Sequence, residues 1–141
     1  MLKINRSAAA IPAQDIKRAR NFYEQKLGLK PTEEQSDGSV FYGVGETMFF
    51  VFPSMGKPSG EHTQLGLEVD DVESAANEVR TKGVKLEEYD YPEFKTKNGI
   101  AEMGDGKGFW FKDTEGNLIA VMERVPAATS STSQRGGTTS R

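Results

Sequence analysis

The chain has 141 residues, enough for one substantial hydrophobic core and too few for two large ones. Its 18 Lys and Arg stand against 21 Asp and Glu, a formal net charge of −3, and the basic residues are dispersed, so no stripe for nucleic-acid phosphates is expected. The absence of cysteine excludes disulfides, thiolate metal sites and Cys nucleophiles together.

Ala8 to Ala13 reads as a short strand ending at Asp15, a residue able to cap a helix by accepting a bond from a free N–H. Ile16, Ala19, Phe22, Tyr23 and Leu27 then recur at helical spacing, and Gly28 supplies a left-handed turn that ends the helix. Val40 to Tyr42 and Thr47 to Phe52 alternate like strands, bounded by Asp37-Gly38 and Gly43 to Glu46. The longest apolar stretch, Met48 to Phe52, is strand-sized, so no membrane span is expected. Met1 to Arg6 lacks the apolar stretch of a signal peptide, and a cytoplasmic protein is the working expectation.

After the connector Pro58 to Glu61 the pattern repeats. A strand ends at Asp71, Val72, Ala75, Ala76 and Val79 follow at helical spacing, and Gly83 closes the helix. Aligning Asp15 with Asp71 (71 − 15 = 56) superposes Ile16 on Val72, Ala19 on Ala75 and Tyr23 on Val79, and farther on Gly45 is matched with Gly116. Ile100 to Met103, Phe109 to Lys112 and Leu118 to Met122 form the second meander, turning at Asp105-Gly106 and Glu115-Gly116-Asn117. Pro126 opens a run of small and polar residues with no large apolar side chain, so 126–141 is expected to be a disordered tail. The fold class expected is α+β: one domain over 1–125, built from two tandem β-α-β-β-β modules (about 6–55 and 62–125). Its sheets curve around a cleft, with the helices on the outer face. By the period of two, Ala9, Ile11, Ala13, Leu65, Leu67 and Val69 face the helices, while Ala8, Ala10, Pro12, Gln64, Gly66 and Glu68 face the cleft.

Ile11-Pro12 through Asp15-Ile16, Phe22-Tyr23, Leu27-Gly28, Val69 to Val72 and Trp110 to Ile119 together resemble the vicinal-oxygen-chelate superfamily of glyoxalases, bleomycin-resistance proteins and extradiol dioxygenases. The resemblance spans about residues 6–125 and implies divalent-ion ligands on the first and last strands of each half. Carried over by position, these fall on Ala8, Phe49, Gln64 and Ala120, of which Gln64 alone has a donor side chain. No metal and no cofactor are therefore expected. A set of His62, Gln64 and Glu68 would be strung along one strand, with about 6–7 Å between alternate residues, and cannot surround one ion.

The ligand cleft expected from this carry-over is lined by Ala8, Ala10, Phe49, Val51, Gln64, Gly66, Trp110, Ala120 and Met122, with the Trp110 indole available to stack on a flat ligand. Packing in an ordinary core is the alternative role for the same apolar residues. Tyr89, Tyr91 and Phe94 read as a lid over the cleft or as a dimer contact. Catalytic candidates are His62 as a base, more often simply a solvated side chain, and Glu68 with Glu102 as an acid–base pair. Gly104 to Gly108 joins two strands and does not lead into a helix, so it is no phosphate loop. The function expected is metal-independent binding of a small, partly aromatic or apolar ligand by a homodimer, the dimer being implied by the resemblance. A glyoxalase-like lyase, isomerase or dioxygenase with an unorthodox site is the alternative, and an interaction module with a closed cleft is the third. Neither nucleic acid nor membrane is an expected partner.

Overall fold

Two β-sheets, each with one helix packed on it, make up the described residues, 2–104 and 106–124, of the computed structural model. The tail expected at 126–141 lies outside the described residues. The first sheet contains β1 (Ala9–Ala13), β2 (Pro31–Glu34), β3 (Val40–Val44) and β4 (Thr47–Pro53) in the order β1-β4-β3-β2. The second contains β5 (Thr63–Val69), β6 (Asp90–Tyr91), β7 (Phe94–Lys97), β8 (Ile100–Met103), β9 (Gly106–Lys112) and β10 (Leu118–Arg124) in the order β5-β10-β9-β8-β7-β6. In each half the first strand lies parallel to the last, β1 with β4 and β5 with β10, and the other pairs are antiparallel. This is the two-module α+β fold expected from the repeat, with curved sheets that do not close into a barrel. The sequence reading omits β2, because Pro31-Thr-Glu-Glu is polar and mostly exposed, and it omits the short β6–β7 hairpin.

The two helices begin alike. Asp15 and Asp71 hold extended backbones (φ −135° and −139°), and each carboxylate accepts the N–H three residues on, Arg18 N at 3.0 Å and Ser74 N at 3.1 Å. They then differ. Helix α2 (Val72–Thr81) is regular, whereas α1 (Ile16–Asn21) widens into a π turn over Phe22–Lys26. Neighbouring residues on an α-helix point about 100° apart. The wider turn accompanies burial of both Phe22 and Tyr23, whose rings meet edge to face at 5.5 Å.

The helix-bearing faces of both sheets merge into one core. Ile11, Tyr23, Tyr42 and Val51 come from the first half, and Val72, Phe109, Phe111 and Ile119 from the second. A smaller cluster on the opposite face of the second sheet contains Ala101, Trp110, Leu118 and Ala120.

The halves are clasped at the C-terminal end of β1 by the loop between β9 and β10. Asp113 is 6% exposed and accepts four hydrogen bonds: Tyr23 Oη at 2.5 Å, Glu115 N at 2.8 Å, Asn117 N at 2.9 Å and Asn117 Nδ2 at 2.8 Å. Burial, and then the Asp113 charge, push the Tyr23 phenol far above its ordinary pKa, so it serves only as a donor. Glu115, 5% exposed, accepts the N–H groups of Gln14 and Asp15 at 3.0 and 3.1 Å and takes the Arg18 guanidinium in a two-pronged contact at 2.7 and 3.0 Å. Asn117 Nδ2 also reaches Pro12 O at 3.0 Å. One strand and one helix of the first half are thus fixed to one loop of the second.

Candidate functional site

At the other end of β1 the halves part. β1 and β5 lie side by side but belong to different sheets, and a half-open cleft of about 700 Å³ occupies the seam. One wall is β5, with Gln64, Gly66 and Glu68 presented on the face away from the helices. Opposite stand Ala9 and the β3–β4 hairpin, through Val44, Gly45, Thr47 and Met48. Gly45 holds φ +59°, which lets the chain reverse in two residues and brings Met48 to the rim. A side chain built at Gly66 would meet nothing within 4 Å, so the floor between Gln64 and Glu68 is bare backbone.

Strand register extends this floor sideways. Gly66 pairs with Ala120, and Ala120 with Trp110, so the three form one row across β5, β10 and β9 on one face. Trp110 is on the opposite face from Phe109 and Phe111, which belong to the main core. Its indole N–H donates to Thr63 Oγ1 at 3.2 Å, which carries the ring across β10 toward β5. Tyr89 and Phe94 stand edge-on against the indole at 5.9 and 5.1 Å, and the 54%-exposed Tyr91 stacks on Tyr89 at 6.2 Å. The three lid candidates therefore gather over Trp110, and burial is the main cause that pushes the Tyr89 phenol up. Met122 lies in the next row against Gly108, where any Cβ would collide with its sulfur at 2.5 Å.

Other expected site residues are placed apart. Phe49 and Val51 point to the helix side, not into a cleft face: Phe49 packs on Tyr23 and Tyr42 at 5.5 and 5.4 Å, and Val51 is buried in the same core. Only an edge of Phe49 borders the seam. The cause is a one-residue slip. Ile11 pairs with Val51 and Leu67 with Val121, so the first strands are offset by 67 − 11 = 56 and the last strands by 121 − 51 = 70. Matching Gly45 to Gly116 gives 71 and reverses the face. The residue equivalent to Ala120 is Phe50, which stacks on Phe41 at 4.9 Å on the face away from the helix.

Ala8 stands just before β1 and Ala10 within it, both exposed. His62 is exposed in the connector, 3.4 Å from Ser59 Oγ through Nδ1, and does not line the seam. Glu102 does not turn toward Glu68. Its strand neighbour Ala101 packs with Trp110, so Glu102 projects to the other face, into a groove shared with Glu73 and Arg80. The pairing of Glu68 with Glu102 as acid and base is thus overturned by strand parity.

A divalent ion does not fit at the positions implied by the resemblance. Ala8, Phe50 and Ala120 have no donor atoms, and Ala120 is packed against the indole of Trp110. Among the described residues no three His, Asp or Glu side chains are grouped to hold an ion. Seam residues absent from the sequence reading, Val44, Thr47 and Met48 above all, belong to a hairpin whose position beside β5 is set by tertiary packing. The one local signal for them is the Gly43-Val-Gly45-Glu turn.

Residues 4–121 match the family model described as the Glyoxalase/Bleomycin resistance protein/Dioxygenase superfamily. Among solved structures, an integron cassette protein from the mobile metagenome of Vibrio cholerae is 25% identical, with 87% of this chain and 98% of that chain covered at a TM-score of 0.58. An antibiotic binding protein from a Streptomyces species is 20% identical over 87% of this chain and all of that one, TM-score 0.65. The genomically encoded fosfomycin resistance protein FosX from Listeria monocytogenes is 10% identical over 91% and 97%, TM-score 0.68. No curated protein matches the chain significantly. No helix among the described residues is long and apolar enough to cross a membrane.

Proposed function

We propose, from the premise that this chain belongs to the glyoxalase/bleomycin resistance protein/dioxygenase superfamily, that it binds a small, partly aromatic molecule in the seam cleft without using a metal ion. The observation that carries this reading is the bare floor at Gly66, open above and flanked by the Gln64 amide and the Glu68 carboxylate. A volume of about 700 Å³ is in the usual range for a small-molecule site. A wall that mixes apolar side chains with Thr47, Gln64 and Glu68 suits recognition by shape with a few orienting hydrogen bonds. The dispersal of His62, Glu68 and Glu102 argues against an acid–base constellation, and the fold's kinship with an antibiotic binding protein agrees with sequestration.

The working unit of this proposal is a homodimer. Phe41, Phe50 and Phe52 form a half-exposed aromatic strip on the helix-free face of the first sheet, and Tyr91 extends the aromatic cluster of the second. Covering both strips with a second copy would remove apolar surface from water and narrow the cleft mouth.

The test is a thermal-shift screen of aromatic small molecules, bleomycin and fosfomycin, each with and without chelator. A true ligand at a hundred times its Kd adds about 2.7 kcal/mol and raises Tm by several degrees, with chelator making no difference. Gly66→Leu fills the floor and should weaken that ligand at least tenfold while leaving Tm unchanged or slightly raised. Stoichiometric binding of a divalent ion that itself raises Tm would overturn the metal-free reading.

A further inference from the structure

A second cavity, of about 220 Å³, lies behind the seam on the helix side. Leu27 and Leu29 come to it from the end of the π turn, Ala75 and Val79 from α2, and Phe109 and Phe111 from β9. The walls are mostly apolar and the cavity, like the seam, is half-open, so several of these core side chains are incompletely buried: Leu27, Leu29, Val69 and Ala75 are each half-covered. At its edge the Lys26 ammonium donates to Lys82 O at 2.8 Å, tying the π turn to the end of α2. Val44, Leu67 and Glu68 line this chamber and the seam cleft alike.

That shared lining has a structural cause. The two cavities meet where the β3–β4 hairpin and β5 lie in different sheets, so no ladder of backbone hydrogen bonds closes the gap between them. What divides them is side chains. Leu67 and Glu68 are successive residues of one strand whose side chains leave its opposite faces, and each borders both cavities, with Val44 across from them.

We propose that the seam cleft and the apolar chamber form one binding space, and that the ligand is an amphiphile: a polar or aromatic head over Gly66 and an uncharged aliphatic tail in the chamber. This rests on the reading that the cleft binds a small molecule. The chamber's charged groups, Lys26, Glu68 and Glu78, carry both signs, while the rest of its lining is aliphatic or aromatic. A charged tail would lose its hydration without a partner, and an aliphatic one would cover the half-buried leucines and phenylalanines. At about 30 Å³ per small group the chamber holds about seven methylenes.

The experiment uses 4-n-alkylphenols from methyl to nonyl, titrated calorimetrically into the wild-type protein, Ala75→Leu and Gly66→Leu. Ala75 lines the chamber and not the cleft, and the isopropyl group that leucine adds there takes up tail space. In the wild type, affinity should rise about fourfold per methylene, the equivalent of about 0.8 kcal/mol, and level off near seven carbons. Ala75→Leu should bind 4-methylphenol as the wild type does and stop gaining affinity several carbons earlier, with its Tm confirming that it folds. Gly66→Leu should weaken every member. If short members bind but length brings no gain, or Ala75→Leu leaves the plateau in place, the chamber proposal fails and the cleft reading stands. If the long members bind Gly66→Leu as tightly as the wild type, the chamber is a separate site and the joined space is refuted. If no member binds the wild type, the amphiphile class is wrong for this protein. The cleft reading is then decided by the screen of other molecules above.

Discussion

The two ends of β1, about 13 Å apart at the usual rise per residue, treat the same pair of modules in opposite ways. At the C-terminal end Pro12, Gln14 and Asp15 are bonded through their backbones to the buried side chains of Glu115 and Asn117, and Tyr23 and Arg18 add two more links. At the N-terminal end Ala9 borders an open seam, and residues 2–8 run exposed beyond it. Directional bonds at one end fix how the modules sit, so that the other end is able to stay unfilled. A cleft held apart only by apolar contacts would tend to collapse, because its walls gain by burial. The clasp therefore bears on the proposed ligand site although it does not touch it.

Breaking the clasp should give the largest effect. Asp113→Ala leaves the Tyr23 hydroxyl and two backbone N–H groups without their acceptor in a buried loop, and takes one of two acceptors from Asn117 Nδ2. The expected loss is about 3–5 kcal/mol in denaturant-induced unfolding. Asp113→Asn keeps the shape and one acceptor oxygen, so it should lose less. An effect below about 1 kcal/mol for the alanine variant would show that the loop is an ornament on the fold and that the seam owes its width to something else.

Much of this architecture is legible in the residues, and the illegible part has a definite physical boundary. Asp15 and Asp71 mark both helix starts because an N-cap is a local device, readable from a carboxylate before an apolar period. The face of β5 is equally readable, since alternation is intrinsic to a strand. Phe49 and Val51 were not legible by the same rule, because their face was inferred by counting from a turn. The β3–β4 turn spans two residues, Gly45 and Glu46, while five residues, 113–117, separate β9 from β10. Two glycines aligned across loops of unequal length carry a register error into everything beyond them. The clasp was visible only as the string Asp113 to Asn117, which reads as an ordinary turn until its partners about 100 residues away are known. The seam is legible on one wall, where strand parity puts Gln64 and Gly66, and not on the other, because the hairpin of Val44, Thr47 and Met48 is brought there by tertiary packing.

A smaller change at the clasp sharpens the comparison by titration. Glu115 is held below the ordinary carboxylate range, chiefly by its hydrogen bonds from Arg18 and against the opposing effect of burial. A depressed folded-state pKa means that the native state holds its proton less readily than the unfolded chain does. The stability this contributes is complete above the unfolded value, about 4.3, and is lost as pH falls through the lower folded value. Arg18 is half exposed, so solvent screening keeps the contribution modest. Glu115→Gln should flatten the stability–pH profile below pH 4.5 relative to the wild type and leave its shape at pH 6–8 unchanged, as read from urea midpoints. A parallel displacement of the whole profile would mean that Glu115 contributes shape and hydrogen bonds but no charge.

The smallest effect is expected at the edge of the open end, where Trp110 leans over Ala120 toward Thr63. Trp110→Phe keeps most of the apolar area under Tyr89 and Phe94 and loses one N–H to O bond, so the stability cost should be about 1 kcal/mol. Because Trp110 is the single tryptophan, wild-type fluorescence reports this position alone. If the ring serves only to cover Ala120, a ligand held over Gly66 should alter its emission slightly and the Phe variant should bind nearly as well. If the ligand instead parts Tyr89 and Phe94 from the indole, emission should shift strongly to the red or be quenched, and the Phe variant should bind several-fold less tightly. Register places Trp110 two strands from Gly66. The first outcome is therefore expected, with the lid residues remaining packed on the indole while the seam fills.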